Sequence, residues 1–343
     1  FVATGVFKNC TVEVSANGKQ LFKEKVNMSP ERAYKNTVGL DGCDFYELRF
    51  SLIDESGNVL VSYKPYKKQG KKPIDVRMPV KRPSEIKNSE ELYINALHLE
   101  QYKQHNYNAA DYYKEGVRRD KYDIRCNTGL ARLSLKNGSF ARCIRYADNA
   151  ISRLTLRNQH PSDTEALYLK GVALKYLGKN DEAYEMLQMA AWSYGYRSAA
   201  MQEIANIDCL NHDYCAALGH IDSSLEGNAH NARALVLKAV ILRKLGNDVA
   251  AKELLKNAVS DDMLDMFALN ELSHYENAAA QRTAEFFYKP ENVIDLLCNY
   301  ISAGFYEDAL ELIESAHSEY PLIWYYKAYV SAKLKKEFKS DLK

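Results

Sequence analysis

The feature that most constrains this chain is a run of small residues that recur at a fixed interval between residues 163 and 258. A small residue returns every 34 positions at two places in this stretch, and large apolar residues surround both places. A third small position follows each copy of the second. The eight small residues that we single out are Gly171, Ala205, Ala239, Ala183, Ala217, Ala251, Ala190 and Ala258. This spacing is typical of antiparallel helix pairs, because only a small side chain lets two helices approach closely where they cross.

The repeat resembles the tetratricopeptide (TPR) family, whose 34-residue helix pairs stack into a superhelix. In its best copy we expect the helix crossing at Gly171 and Ala183, with the turn at residues 177–180. One pair cannot bury its apolar face alone, so neighbouring pairs complete the core. The expected fold class is therefore mainly α: an α-solenoid of about seven TPR-like helix pairs over residues 89–343, with a degenerate sixth pair.

Residues 1–64 predict a different structure. Cys10–Val14 alternates apolar and polar residues, Asn17-Gly18 is a hairpin signal, and 45–53 alternates again before a turn. We expect a partial immunoglobulin-like β-sandwich here, and because four or five strands are too few for a complete one, part of it is expected upstream. Prolines and basic residues then dominate 65–88, which predicts an extended linker.

A closer resemblance rests on particular strings of residues. The strings at 91–102, 112–120, 154–158 and 228–231 are similar to the C-terminal part of large bacterial proteins. In those proteins an uncharacterised β-rich domain, itself similar to carbohydrate-active folds, precedes a β-sandwich and a TPR array. The resemblance assigns a catalytic role to no residue of this chain.

Composition and motifs narrow the function classes. With 46 Lys and Arg against 45 Asp and Glu, the net charge is +1 and gives no argument for a nucleic-acid partner. No apolar run reaches the roughly 18 residues that span a bilayer. Seven cysteines without a CxxC pair and eight dispersed histidines predict neither a metal site nor a cofactor. Catalytic motifs are absent as well, so no catalytic residue is expected in this fragment, and the unpaired thiols slightly favour a cytoplasmic over a periplasmic location.

The predicted binding surface is the concave face, lined by the first helix of each pair. Nine residues at helical spacing are expected there: Arg125, Arg132, Lys136, Tyr168, Lys175, Tyr176, Asn206, Arg243 and Lys244. Cations dominate this set, whereas acids of the same units, such as Glu182 and Glu253, fall on the second helices. We therefore expect an exposed, positive channel that binds an acidic peptide or an acidic glycan with salt-sensitive affinity.

Together these observations predict a noncatalytic protein-interaction scaffold that binds a peptide or glycan partner on its concave face. One alternative is the accessory C-terminal half of a carbohydrate-active enzyme whose catalytic domain lies N-terminal to this chain. Another is self-association through the groove or through an uncapped end of the solenoid.

Overall fold

The computed structural model describes residues 1–39, 42–67, 70, 79–102, 106–316 and 318–335. They divide into an N-terminal β unit and a helical unit that begins at Pro79. The predicted linker at 65–88 lies partly outside the described residues, so its boundaries stay a prediction.

The β unit contains one antiparallel sheet in the described residues. Its four strands run in the order β2-β1-β3-β4, and their bounds are β1 Phe7–Ala16, β2 Lys19–Met28, β3 Leu48–Ile53 and β4 Val59–Tyr63. The β1–β2 hairpin turns at Asn17 and Gly18, both of which have positive φ, as the sequence predicts. Alternate residues of β1 (Cys10, Val12 and Val14) are buried against one face of the sheet.

The helical unit is built from consecutive antiparallel pairs. The first helices of the pairs are α1 Ser89–Tyr102, α3 Ile124–Lys136, α5 Glu165–Tyr176, α7 Tyr194–Leu210, α9 Ala232–Lys244, α11 Met266–Ser273, α13 Pro290–Ser302 and α15 Pro321–Lys333. The second helices are α2 Ala109–Arg119, α4 Phe140–Leu154, α6 Asn180–Ala190, α8 Tyr214–Gly227, α10 Asp248–Asp261, α12 Asn277–Phe286 and α14 Tyr306–Ala316. The predicted fold class, a mainly α solenoid after a small β unit, is confirmed.

Local sequence explains where these helices begin and end. The side chains of Asn108, Asp123 and Asp213 accept backbone N–H groups at the starts of α2, α3 and α8. Gly178 ends α5 with a φ of 73°, the left-handed conformation that glycine adopts readily. His212 takes the equivalent place after α7 with a φ of 60°, so the turn geometry is retained where the glycine is not.

The small residues of the repeat lie where paired helices meet. A methyl group added at Gly171 would lie 2.7 Å from Leu187 Cγ and 3.3 Å from the Ala183 carbonyl oxygen. The seven alanines of the set are all buried: Ala183, Ala190, Ala205, Ala217, Ala239, Ala251 and Ala258. The array is thus closely packed at the places where the side chains are smallest.

The seventh helix pair does not simply extend the row. The sixth pair is short, since α11 has 8 residues and α12 has 10, and after it the chain returns towards earlier first helices. Lys175 of α5 donates to Ser302 of α13 at 3.0 Å, and Arg233 of α9 to Asp295 of α13 at 3.1 Å. One hydrophobic core runs from Ala205 to Val330, so the returning pair is an integral part of the array.

No helix in the described ranges has both the length and the apolar character that crossing a membrane requires.

Candidate functional site

The nine residues predicted for the groove differ widely in exposure. Three of them, Arg125, Lys136 and Tyr176, are exposed to solvent. Four are half-buried: Arg132, Tyr168, Arg243 and Lys244. Lys175 and Asn206 are buried, and the Lys175 side chain is only 6% exposed. The expectation of a uniformly exposed set is therefore wrong.

Arg132 lies between two carboxylates. Its guanidinium donates to Glu165 of α5 at 2.7 Å and to Glu100 of α1 at 3.0 Å, while Lys136 donates to the second oxygen of Glu100 at 2.8 Å. Burial alone would raise the pKa of Glu100, but the Lys136 hydrogen bond and the Arg132 charge outweigh it and hold that pKa below its usual range. Three consecutive first helices are tied together by this cluster.

Lys175 and Asn206 share one acid. Glu203 of α7 accepts from Lys175 Nζ at 2.5 Å and from Asn206 Nδ2 at 3.4 Å. Because the ammonium group is buried, its carboxylate partner and the Ser302 hydroxyl replace the water that it lost. The Lys175 ammonium group and the Asn206 amide nitrogen are therefore already engaged within the protein.

Arg243 and Lys244 enter a buried polar network. Arg243 donates to both oxygens of Glu271 at 3.1 Å and to Asp308 at 2.7 Å, and Lys244 donates to the other oxygen of Asp308 at 2.7 Å. The buried Tyr300 hydroxyl donates to Glu271 at 2.5 Å. Burial, joined by the Glu271 charge, raises the pKa of Tyr300 far above its usual value.

The expected positive channel is thus neutralised by acids that sequence reasoning missed. Glu100, Glu203 and Glu271 lie on first helices, so the acids are not confined to the second helices. Asp308 comes from α14 of the returning pair. The repeat spacing in the sequence could have predicted two of these ion pairs. Lys175 and Arg243 stand 68 residues apart, as do their partners Glu203 and Glu271, which is two repeats of the same contact.

The returning pair contacts the C-terminal ends of α5 and α7 and also the beginning of α9. Asp295 contacts the beginning of α9, while Ser302 contacts the end of α5. At the tip of the pair, the Phe305 ring stacks near Tyr214, with centroids 6.3 Å apart, and a Cβ at Gly304 would lie 2.7 Å from Leu210. This part of the surface formed by the first helices is occupied by the chain itself.

An open pocket remains towards the N-terminal ends of the same helices. Its volume is about 570 Å³, and one face of α7 forms its floor. The α8–α9 connection and the start of α9 contribute further polar groups, and Tyr168 of α5 closes one side. The polar side chains that line it are Tyr168, Tyr194, Ser198, Gln202, Glu203, Asn228, Asn231 and Arg233.

The hydrogen bonds around this pocket hold its amides in place. Asn231 Nδ2 donates to Gln202 Oε1 at 2.8 Å, and Asn231 Oδ1 accepts the Ala234 N–H at 3.2 Å. Burial raises the pKa of Tyr168 well above its usual value, so its hydroxyl stays protonated. Among the described residues that hydroxyl has no hydrogen bond, and Tyr168 lines the pocket. Of the nine predicted residues, only Tyr168 lines this pocket.

Comparison with known proteins covers the two units separately. The profile of the family described as "YphG-like protein, second domain" matches residues 1–63. Among solved structures, a tetratricopeptide repeat protein from Parabacteroides merdae aligns with a TM-score of 0.50 and 14% identity, over 71% of this chain and 98% of that chain. The helical unit therefore has the fold of a tetratricopeptide-repeat (TPR) array.

Two further solved structures are similar at lower scores. Pseudomonas aeruginosa pilF aligns over 66% of this chain and 95% of its own, with 15% identity and a TM-score of 0.48. YrrB, described as a TPR protein with an unusual peptide-binding site, aligns over 53% of this chain and 90% of its own, with 18% identity and a TM-score of 0.42.

The thiols of the TPR array are mostly buried. All seven cysteines of the chain are free, and Cys126, Cys143 and Cys209 lie in the core of the array. Burial raises the pKa of both Cys143 and Cys209 to about 12, which keeps these thiols protonated and unreactive. Cys215 and Cys298 are exposed.

Proposed function

We propose that the TPR array is an interaction scaffold that binds an extended segment of a partner protein in the pocket on α7. The observation that carries this proposal is the set of fixed amide and hydroxyl groups around an open volume of about 570 Å³. Side-chain amides offer both a donor and an acceptor, which matches the alternating N–H and C=O groups of a peptide backbone. A pocket of this kind on a rigid helical scaffold is preorganised for binding.

The pocket is a better candidate than the row of cations on the concave face. Arg132, Lys175 and Arg243 already have carboxylate partners, and a ligand would have to replace those partners. In the pocket, Arg233 is 62% exposed and contacts Asp295 in an ion pair that is itself exposed, so this pair is weak and easily exchanged. Because Glu203 and Arg233 carry opposite charges, the proposed ligand is polar without a strong net charge, and its affinity depends little on salt.

Selection of a random peptide library on the full chain, followed by fluorescence anisotropy with the selected peptide, tests this function. Tyr168→Phe removes one hydroxyl and keeps the ring, whereas Asn228→Ala removes one amide. Each is expected to weaken binding by about fivefold to tenfold, as loss of a single hydrogen bond does. Tyr325→Phe is the matched control, since Tyr325 is exposed on α15 and does not line the pocket.

Two results would contradict the proposal. One is a selection that yields no specific peptide. The other is a selected peptide that binds the Tyr168→Phe and Asn228→Ala variants as tightly as the parent. If binding is instead lost at high salt and in the Arg132→Glu variant, the binding site is the row of cations.

A further inference from the structure

The three amide side chains that line the pocket on α7 are held in one orientation by the backbone. Asn231 Oδ1 accepts the Ala234 N–H at 3.2 Å, so its Nδ2 is turned towards Gln202 and donates to Gln202 Oε1 at 2.8 Å. Asn228 Oδ1 accepts the His230 N–H at 3.3 Å. Because a backbone N–H can only donate, turning any of these amides over would lose a hydrogen bond.

In this orientation the amides bring more free donors than free acceptors to the pocket. Each of their oxygens already accepts a hydrogen bond from the chain, whereas Gln202 Nε2 and Asn228 Nδ2 have no partner among the described residues. The hydroxyl of Tyr168 and the exposed guanidinium of Arg233 add further donors to the lining. A ligand that fits this pocket therefore has to supply acceptors.

Acceptors in the lining are scarce by comparison. Glu203 is the one carboxylate among the residues that line the pocket. Its Oε2 atom already accepts from Lys175 and Asn206, so Oε1 is the oxygen that remains. A ligand backbone with an N–H at every residue would give up hydrogen bonds to water that this lining replaces poorly, and an unsatisfied donor is costly.

Two tyrosine rings lie in the lining beside these donors. Tyr194, in the first turn of α7, is 80% exposed, and Tyr168 of α5 is half-buried with its ring centroid 5.4 Å from that of Tyr196. Aromatic rings beside hydrogen-bond donors form the kind of groove that takes a polyproline II helix, in which the rings pack against pyrrolidine and the donors bind carbonyl oxygens.

We propose that the partner segment bound on α7 is proline-rich and adopts the polyproline II conformation, an inference that rests on the function proposed above. Proline has no backbone N–H, so such a segment offers carbonyl oxygens to the amide and hydroxyl donors and leaves few N–H groups unpaired. Its carbonyls make no internal hydrogen bonds. Because the conformation is largely formed before binding, the segment also loses less entropy when it binds.

Two peptide libraries of equal diversity separate this inference from the function itself. In one library every peptide carries proline at alternate positions, and in the other proline is left out. We expect the full chain to bind the best peptides of the first library at least about tenfold more tightly than those of the second. Equal affinities, or tighter binding from the second library, would overturn the proline proposal and leave the function standing. No specific peptide from either library would contradict both.

The missing N–H is tested on the selected peptide. Replacing its prolines one at a time by alanine restores one N–H each time, and at the positions within the pocket this should weaken binding by about tenfold. N-methylalanine at the same positions removes that N–H again and should recover most of the affinity. If N-methylalanine binds no better than alanine at any position, the pocket does not select against the N–H and the proposal is wrong.

A protein variant tests the donors of the pocket. Gln202→Glu keeps the size of the side chain and an oxygen for Asn231, but it replaces the Nε2 donor by an acceptor. Binding of the selected proline-rich peptide should weaken by about fivefold or more. Gln101→Glu is the matched control, since Gln101 is exposed on α1 and does not line the pocket. A circular dichroism melt checks that Gln202→Glu folds. Binding by Gln202→Glu that equals or exceeds that of the control would overturn the proposal.

Discussion

The middle helix pairs, α5 to α10, and the pairs that follow them, α11 to α14, are held together by different means. In the middle pairs, alanine and glycine recur in the same register and allow close contact between neighbouring helices. In the later pairs, short helices bring buried charges together from distant parts of the sequence, as in the contact of Arg243 with Asp308. Repeated small residues set how neighbours pack, whereas a few ionic contacts set where the array turns back.

One register position that links successive first helices holds an ionic contact in some copies of the repeat and an apolar one in another. At Lys175 and Arg243 it holds a cation, whose partner is a glutamate of the next first helix. Between them, at Cys209, the same position is apolar, and its counterpart Leu237 is apolar as well. This register position is therefore ionic in two copies of the repeat and apolar in the copy between them. The returning pair contacts the two ionic positions.

The largest loss of stability is expected for Glu271→Ala, which removes a buried carboxylate from the contact between the middle and later pairs. The Glu271 side chain is 1% exposed and accepts from Arg243 and Tyr300, so its removal leaves a buried guanidinium short of a partner. Loss of one member of a buried ion pair costs about 3–5 kcal/mol. Urea unfolding of the full chain measures it, and Glu314→Ala, at an exposed site of α14, is the control. A loss no larger than that of the control would show that the network does not hold the returning pair.

A pair of glycine substitutions sharpens the comparison in the middle pairs. Gly171→Ala would place a methyl group 2.7 Å from Leu187 Cγ, and overpacking of this kind costs about 1–3 kcal/mol. Gly219→Ala on α8 meets nothing within 4 Å, so it should stabilise the array by about 0.5–1 kcal/mol through helix propensity. Thermal melts of the two variants should shift in opposite directions. Shifts of the same sign would contradict the crossing at Gly171.

Sequence reasoning predicted the middle pairs well for a physical reason. The contacts of Gly171 and Ala183 are local in sequence and recur at one period, so each copy supports the interpretation of the next. The return of α13 and α14 depends instead on single residues such as Asp308, which contacts a helix some 64 residues earlier. A contact of that kind does not recur along the sequence, so no periodic pattern predicts it. The pocket on α7 escaped prediction too, because Gln202 and Asn228 come from a helix and a connection that only the fold brings together.

Acid pH should weaken the later pairs through Asp308. Burial alone would raise the pKa of this carboxyl, but the hydrogen bond from Lys244 and the charge of Arg243 hold that pKa below its usual range. A depressed pKa contributes stability that is complete above the ordinary pKa and is lost as the pH falls through the folded-state value. Urea unfolding from about pH 6 to about pH 3 should show Asp308→Asn less stable than the parent at the upper end, with the gap narrowing towards the lower end. A gap that stays constant with pH would assign the effect to shape rather than charge.

The smallest effect is expected where the same kind of ion pair lies in solvent. Arg125 of α3 and Glu90 of α1 form a bidentate pair whose side chains are 47% and 45% exposed, so water screens the attraction and each side chain loses conformational freedom when the pair forms. Arg125→Met should therefore leave the melting midpoint within the scatter of repeated measurements. Arg132→Met, about two helical turns further along α3, removes a half-buried cation from Glu100 and Glu165 and should lower the midpoint clearly. Equal shifts for the two variants would mean that burial does not decide the strength of these pairs. The division between the two kinds of helix contact would then have to rest on packing alone.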